Sequence, residues 1–186
     1  MISRADPDAP AFPPDFLFGA ATAAHQVEGD TTNNWTRWEE TTRRGGRPPC
    51  IPANGVGPDG AVALRVLRLA AHYGKPIYIT ENGTCDAEIP DRRRRRFLLE
   101  CLYAVEQAIR NGIDVRGYLH WSLLDNFEWA YGFVPRFGLY RVDYETQEHT
   151  LTSGGERYRH IITVHRDRRM ESPDEVTDRM ANVGQT

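Results

Sequence analysis

Cysteine is scarce in this sequence. Cys50, Cys85 and Cys101 are odd in number and none sits in CxxC spacing, so neither a disulfide framework nor a zinc site is indicated. Reduced thiols in a cytoplasmic setting are expected. No apolar run is long enough to cross a bilayer, and the opening MISRADPDAPAFPPDF has no apolar signal-peptide core. The sequons at Asn34 and Asn82 therefore carry no expected glycan. A basic excess is also missing: the formal charge of −3 argues against general attraction to nucleic acid or to anionic membranes. The run of five arginines, Arg92 to Arg96, has no interleaved aromatics and opens an amphipathic stretch, so it reads as a solvated helix face. His160 and His165 are five apart and do not share a helix face as metal ligands would; no metal and no cofactor is expected.

What is present suits one packed domain of 186 residues with 40% hydrophobic content. The most informative stretch is Lys75 to Gly83, KPIYITENG. Ile77, Tyr78, Ile79 and Thr80 favour a strand, and their near-continuous apolar character predicts a parallel strand covered on both faces. Glu81 ends it. The carboxyl ends of parallel strands are where α/β folds assemble ligand sites, so Glu81 is a functional candidate; the alternative is a strand-end carboxylate paired with a nearby arginine.

Along the chain, Phe16 to Thr22 reads as a buried strand, and residues 30 to 40 as a loop and short helix around Trp35 and Trp38. Thr41 to Gly57 is dense in Gly, Pro and Arg without periodicity, as a linker or junction would be. Pro58 to Tyr73 shows helical spacing of Leu64, Leu67 and Ala71. Asp91 is a plausible N-cap for a stronger helix carrying Phe97, Leu98, Cys101, Leu102, Val105, Ala108 and Ile109, with Cys101 in the core. Val115 to Ser122 predicts another strand, closing a βαβ unit. Asp143 to Thr150 reads as a turn region, Ser153 as the cap of a last helix, and residues 166 to 186 as a charged, disordered tail after a domain over 1 to 165.

Trp121, Glu128 and Trp129, in HWSLLDNFEWAYGF, should share a mouth with Glu81, and Gln26 leaves the first strand's end. Aromatic rings stack on the C–H faces of sugars while carboxylates and amides take vicinal hydroxyls, so this mixture suits a carbohydrate pocket; for the tryptophans alone, core packing is the plainer reading. The blocks FLFGAATAAHQVEG at 16 to 29, YGKPIYITENG at 73 to 83 and DVRGYLHWSLLDNFEWAYGFVPRFGLYRVDYET at 114 to 146 resemble glycoside hydrolase family 1, the β-glucosidase family of retaining enzymes on a (β/α)8 barrel. The resemblance implies Glu81 as catalytic nucleophile, Gln26, Glu128 and Trp129 as holders of glycone hydroxyls, and Trp121 as the sugar platform. It implies a β-glycoside as substrate. Asn82 would support, Tyr78 and Asn126 match without an assigned role, and core packing is expected for Phe137 and Tyr144.

The family's acid/base, a glutamate in Asn-Glu-Pro, has no counterpart here. Glu28, Glu39, Glu40 and Asp125 are poor substitutes, because a retaining pair requires carboxyl groups about 5 to 5.5 Å apart. The matching blocks resemble strands one, seven and eight, and a barrel takes ~200 residues or more. The fold expected is thus α/β and barrel-derived, an internally truncated partial barrel with its junction near 41 to 57. Its strands would run in the order seven, eight, one, leaving open edges and a bare inner face that invite self-association. A β-glucosidase-like hydrolase of doubtful competence is one reading, and a non-catalytic remnant that binds sugar weakly is the other.

Overall fold

The computed structural model describes residue 6, residues 9–22 and residues 60–170. Gln26, Glu28, Trp35, Trp38, Glu39, Glu40, Cys50, the 41–57 junction and the end of the expected tail lie outside the described residues.

Parallel strands β1 (Leu17–Ala21), β2 (Ile77–Asn82) and β3 (Val115–Trp121) form a sheet in the order β1-β3-β2. The last of them in sequence is central, as expected for strands seven, eight and one of a barrel. Helix α1 (Gly60–Ala71) precedes β2, α2 (Arg92–Arg110) joins β2 to β3, and α3 (Ser153–Met170) closes the described chain. Between β3 and α3 lie a 3-10 turn at Trp129–Tyr131 and a small antiparallel hairpin, β4 (Tyr140–Val142) with β5 (His149–Leu151). Helix α3 runs past residue 165, where the charged tail was expected to begin.

The pleat divides the sheet into two unlike faces. One, with Phe18, Ala20, Ile77, Ile79, Val115 and Tyr118, packs on Leu98, Cys101, Leu102 and Val105 of α2 and on Tyr158 and Ile161 of α3. Cys101 is 1% exposed, an ordinary core residue. The Tyr158 hydroxyl sits 2.9 Å from the Gly19 carbonyl and 3.1 Å from the Tyr118 carbonyl, tying α3 to two adjacent strands. Among the described residues no helix backs the opposite face: Leu17 and Tyr78, both registered on Gly117, are 57% and 48% exposed. The expectation that β2 is covered on both faces is thus corrected. Its apolar run was read as two-sided burial, yet among the described residues it is an edge strand with only one face backed by helices.

The arginine run is also not a uniform solvated face. Arg94 is 1% exposed, and its two terminal nitrogens donate to Asp91 Oδ2 (3.1 Å) and to the carbonyls of Gly138 (2.7 Å), Asp86 (2.7 Å) and Arg136 (2.6 Å). One guanidinium therefore joins the loop after β2, the start of α2 and the loop before β4. Burial works against its charge, and Asp91, Asp125 and Asp86 offset that cost.

The capping follows the same cross-linked pattern. Asp91 makes no side-chain cap to α2; its carboxylate accepts instead from the Ser153 amide (2.8 Å) and hydroxyl (2.6 Å) and the Gly154 amide (3.1 Å) at the head of α3. Burial would raise the Asp91 carboxyl, but Ser153, Arg94 and Gly154 outweigh it and hold it below its ordinary value. The first-turn amides of α2 go to Asp86 Oδ2, from Arg93 at 3.0 Å and Arg94 at 3.1 Å. For α3, the capping hydroxyl expected at Ser153 is that of Thr152, which accepts from Gly155 N at 3.0 Å.

Arg94→Ala removes one donor each from Asp91 and three carbonyls and is expected to cost ~3–5 kcal/mol in urea unfolding. Arg92→Ala and Arg95→Ala, at exposed positions, should stay within ~0.5 kcal/mol.

Candidate functional site

Glu81 is the penultimate residue of β2 and is exposed, and no ion pair joins it to an arginine among the described residues. Its position is set by its neighbours. Asn82 Oδ1 accepts from the hydroxyl of fully buried Tyr118 at 2.8 Å, which fixes the strand end against β3. A Cβ at Gly83 would collide with the Trp121 carbonyl, so only glycine lets the departing chain lie flush on the end of β3. The Glu-Asn-Gly order thus holds the end of β2, with Glu81, against the end of β3 at Trp121.

The chain leaving β3 is held just as closely. Asn126 Nδ2 donates to Ser122 Oγ (3.0 Å) and the Leu124 carbonyl (3.2 Å), while the Asp125 carboxylate accepts from Gly138 N (2.9 Å), Arg136 Nη1 (3.1 Å) and Val142 N (3.3 Å). Asp125 is therefore consumed structurally and is not a spare acid. Beyond it the backbone turns through the bond from Glu128 N to the Gly132 carbonyl (2.7 Å), bringing Glu128 back toward the strand mouth.

There the Trp121 indole lies close enough to the Glu128 carboxylate to favour its charged form, and Glu128 feels the charge of Glu81. Burial chiefly, and Glu81 in addition, push the Glu128 carboxyl above its ordinary value, against the lowering effect of the nearby indole. Its Oε2 is buried with no hydrogen-bond partner among the described residues. An unpaired buried acceptor beside an indole and a second carboxylate is suited to a hydroxyl donor. Trp129 is half-buried with φ 47° and stacks edge-on against Phe127 at 6.4 Å. The structure thus brings Glu81, Trp121 and Glu128 together and puts Trp129 next in chain, whereas Gln26 lies outside the described residues.

Phe137 offers its carbonyl to Ser122 N (3.3 Å); Tyr144 stacks on Phe133 at 4.7 Å under the Arg136 guanidinium. Cavities of about 150 Å³, between Asp86, Arg94, Asp125 and Ser153, and about 550 Å³, around Arg136, Tyr144 and Glu148, border the polar lock and include neither Glu81 nor Glu128. Three strands supply one wall of a mouth, and a cleft needs a facing wall.

Comparison with known proteins decides the lineage. A model of glycosyl hydrolase family 1 matches residues 56–167. The chain belongs to that family. It is 42% identical over 122 residues to a bifunctional β-D-glucosidase/β-D-fucosidase of Bifidobacterium breve, covering 59% of this chain and 26% of that protein. It is 49% identical over 82 residues to a β-galactosidase of Sulfolobus acidocaldarius, covering 44% and 16%. Among solved structures, a β-glycosidase from Pyrococcus horikoshii aligns at 40% identity and TM-score 0.52 over 58% of this chain and 25% of its own. The Thermotoga maritima β-glucosidase in complex with glucoimidazole aligns at 33% and 0.55, over 57% and 26%. The chain spans about a quarter or less of these relatives, and its sheet is a partial (β/α)8 barrel. No helix among the described residues is long and apolar enough to cross a membrane, and none of their His, Cys, Asp and Glu side chains form a group able to hold a metal ion.

Sequence reasoning missed His120, one residue before Trp121 and so on the opposite, helix-backed face. It is 0% exposed, and neither ring nitrogen has a hydrogen-bond partner among the described residues, although the Phe137 carbonyl lies close enough to favour the charged ring slightly. Burial first, and Arg94 second, depress it from 6.5 to about 4. The only sequence signal was a histidine in a strand at core phase.

Two pH effects follow. A depressed histidine stabilises the fold above its unfolded value and loses that contribution as pH falls, so melting temperature should drop between pH 6.5 and about 4, and His120→Leu should flatten this drop. Glu128 has the opposite sign: its raised value means that stability is lost as pH rises through it, so Glu128→Gln should raise the melting temperature at neutral pH and leave it unchanged in acid.

Proposed function

We propose that this chain carries the nucleophile half of a retaining β-glycosidase site, acting on β-glucosides or β-galactosides. The observation behind this reading is the convergence of Glu81, Trp121 and Glu128 at one strand mouth. Glu128, through its unpartnered Oε2, and Trp129 grip glycone hydroxyls together with Gln26, and Trp121 supplies the stacking platform. A Glu81 carboxylate oxygen attacks the anomeric carbon, the bond to the leaving oxygen breaks, and that oxygen departs with the bonding pair. Water then attacks the same carbon of the glycosyl-enzyme, releasing the sugar and regenerating the carboxylate, with its proton passing to solvent.

The missing Asn-Glu-Pro glutamate restricts this chemistry. Without a proton donor a sugar leaving group must depart as an alkoxide, whereas a dinitrophenolate needs no proton. The lost assistance is ~10²–10⁴-fold. A cytoplasmic site of action is part of the same reading, supported by cysteines that are few and lack CxxC spacing.

The second reading, a non-catalytic remnant that binds sugar weakly, draws on the single-walled mouth. Incubation with 2,4-dinitrophenyl 2-deoxy-2-fluoro-β-glucoside separates the two. Labelling of Glu81, lost in Glu81→Gln, is expected for the enzyme, and turnover of the aryl glucoside should exceed that of cellobiose by ~10²-fold or more. A cooperatively folded chain left unlabelled but retaining glucose binding would establish the remnant instead.

A further inference from the structure

Helix α1 carries more apolar surface than its described neighbours use. Ala63, Leu64 and Leu67 face the core shared with α2. At 3.6 residues per turn, Arg65, Arg68 and His72 make a second face suited to solvent. A third face remains: Val66 is 56% exposed, Leu69 68%, and Tyr73, in the following turn, 82%. A surface helix with one packed face ordinarily shows one apolar stripe. Through Ala70 and Ala63 this face runs on into the core-facing one, so the apolar arc of α1 is wider than one packed neighbour covers, as for a helix flanked on both sides in the outer ring of a barrel.

The strand that α1 feeds is unfinished on its outer side. Among the described residues β2 pairs only with β3, and Lys75 and Pro76 guard only its entry, leaving IYITEN itself without the lysine or proline that usually blunts a free edge. Tyr78 adds exposed apolar surface to the bare sheet face beside it. A free strand edge with an uncovered helix stripe is the surface left when the preceding βα unit is removed.

We propose that the β2 edge and the Val66–Leu69–Tyr73 stripe dock a separate polypeptide that supplies the βα units preceding β2 in the same barrel. The partner is defined by its chemistry: a parallel strand for the edge and an apolar helix flank for the stripe. It corresponds to the greater part of the relatives, of which this chain spans about a quarter or less. A second copy of this chain fits poorly. Continuing the sheet with its β1 would bring its α3 against the stripe, and that flank is ionic and already covered: Asp6 Oδ2 lies 3.1 Å from Arg157 and 2.7 Å from His160, Arg168 donates to the Asp6 carbonyl, and Phe12 packs on Phe18. The proposal rests on the partial-barrel reading and is independent of turnover at Glu81.

The full chain is co-expressed with the part of the Bifidobacterium breve enzyme that has no counterpart here, then examined by size-exclusion with light scattering and by amide exchange. A one-to-one complex is expected, with exchange in β2 slowed tenfold or more. Val66→Glu and Leu69→Glu should each weaken it at least tenfold, and Arg65→Gln and Arg68→Gln should not; all four sites are exposed, and an unchanged melt excludes misfolding. Absence of a soluble complex, or indifference to Val66→Glu and Leu69→Glu, overturns the proposal. So does a homodimer sensitive to the same variants, or slow β2 exchange in the monomer alone, which would mean that residues 23–59 already cover the edge. Fluoroglucoside labelling of the complex reports separately: a complex without label sinks the nucleophile reading and leaves the docking surface standing.

Discussion

The buried guanidinium of Arg94 is the interaction on which the other features depend. It binds carbonyls from the loop after β2 and from the segment before β4, and it neutralises the carboxylate that caps α3. Four donor bonds from one rigid fork define the relative positions of these loops in a way that apolar contacts, being non-directional, do not. The loop following β2 begins after Asn82, next to Glu81, and the segment following β3 carries Glu128. Fixing both fixes the mouth.

This arrangement separates stability from chemistry across the sheet. The helix-backed face holds the core, with Leu98, Leu102, Ile161 and Tyr118 all fully buried. The other face and the mouth hold groups with unmet demands: an unpartnered Glu128 oxygen, its raised carboxyl, and exposed Leu17 and Tyr78. A site that binds a polar ligand must keep acceptors unsatisfied until the ligand arrives, so such groups collect where the cleft would be. In a closed barrel the same sheet face would be covered by the facing strands. Here Leu17 and Tyr78 leave it with apolar surface still to bury.

Much of the fold was legible because long periodic segments declare themselves. The spacing from Phe97 to Ile109 and the apolar run from Ile77 specified α2 and β2, and the family blocks supplied the strand order that the structure bears out. What escaped depends on partners distant in sequence. Arg94 looked like its four neighbours, because a run of like charges gives no sign of which member turns inward toward Gly138, 44 residues away. Asp91 looked like a local cap, since its true acceptor role is toward Ser153, 62 residues on. His120 was hidden because alternation shows which face it takes but not whether anything there will bond to it.

By itself the sequence determined the main elements and the family, since these reside in local spacing and in contiguous motifs. Only the tertiary structure decided that Glu128 and Trp121 come near Glu81, that one arginine of five is the keystone, and that among the described residues β2 is an edge. Those facts depend on which surfaces find a partner in space, and no local pattern records the presence or absence of a neighbour.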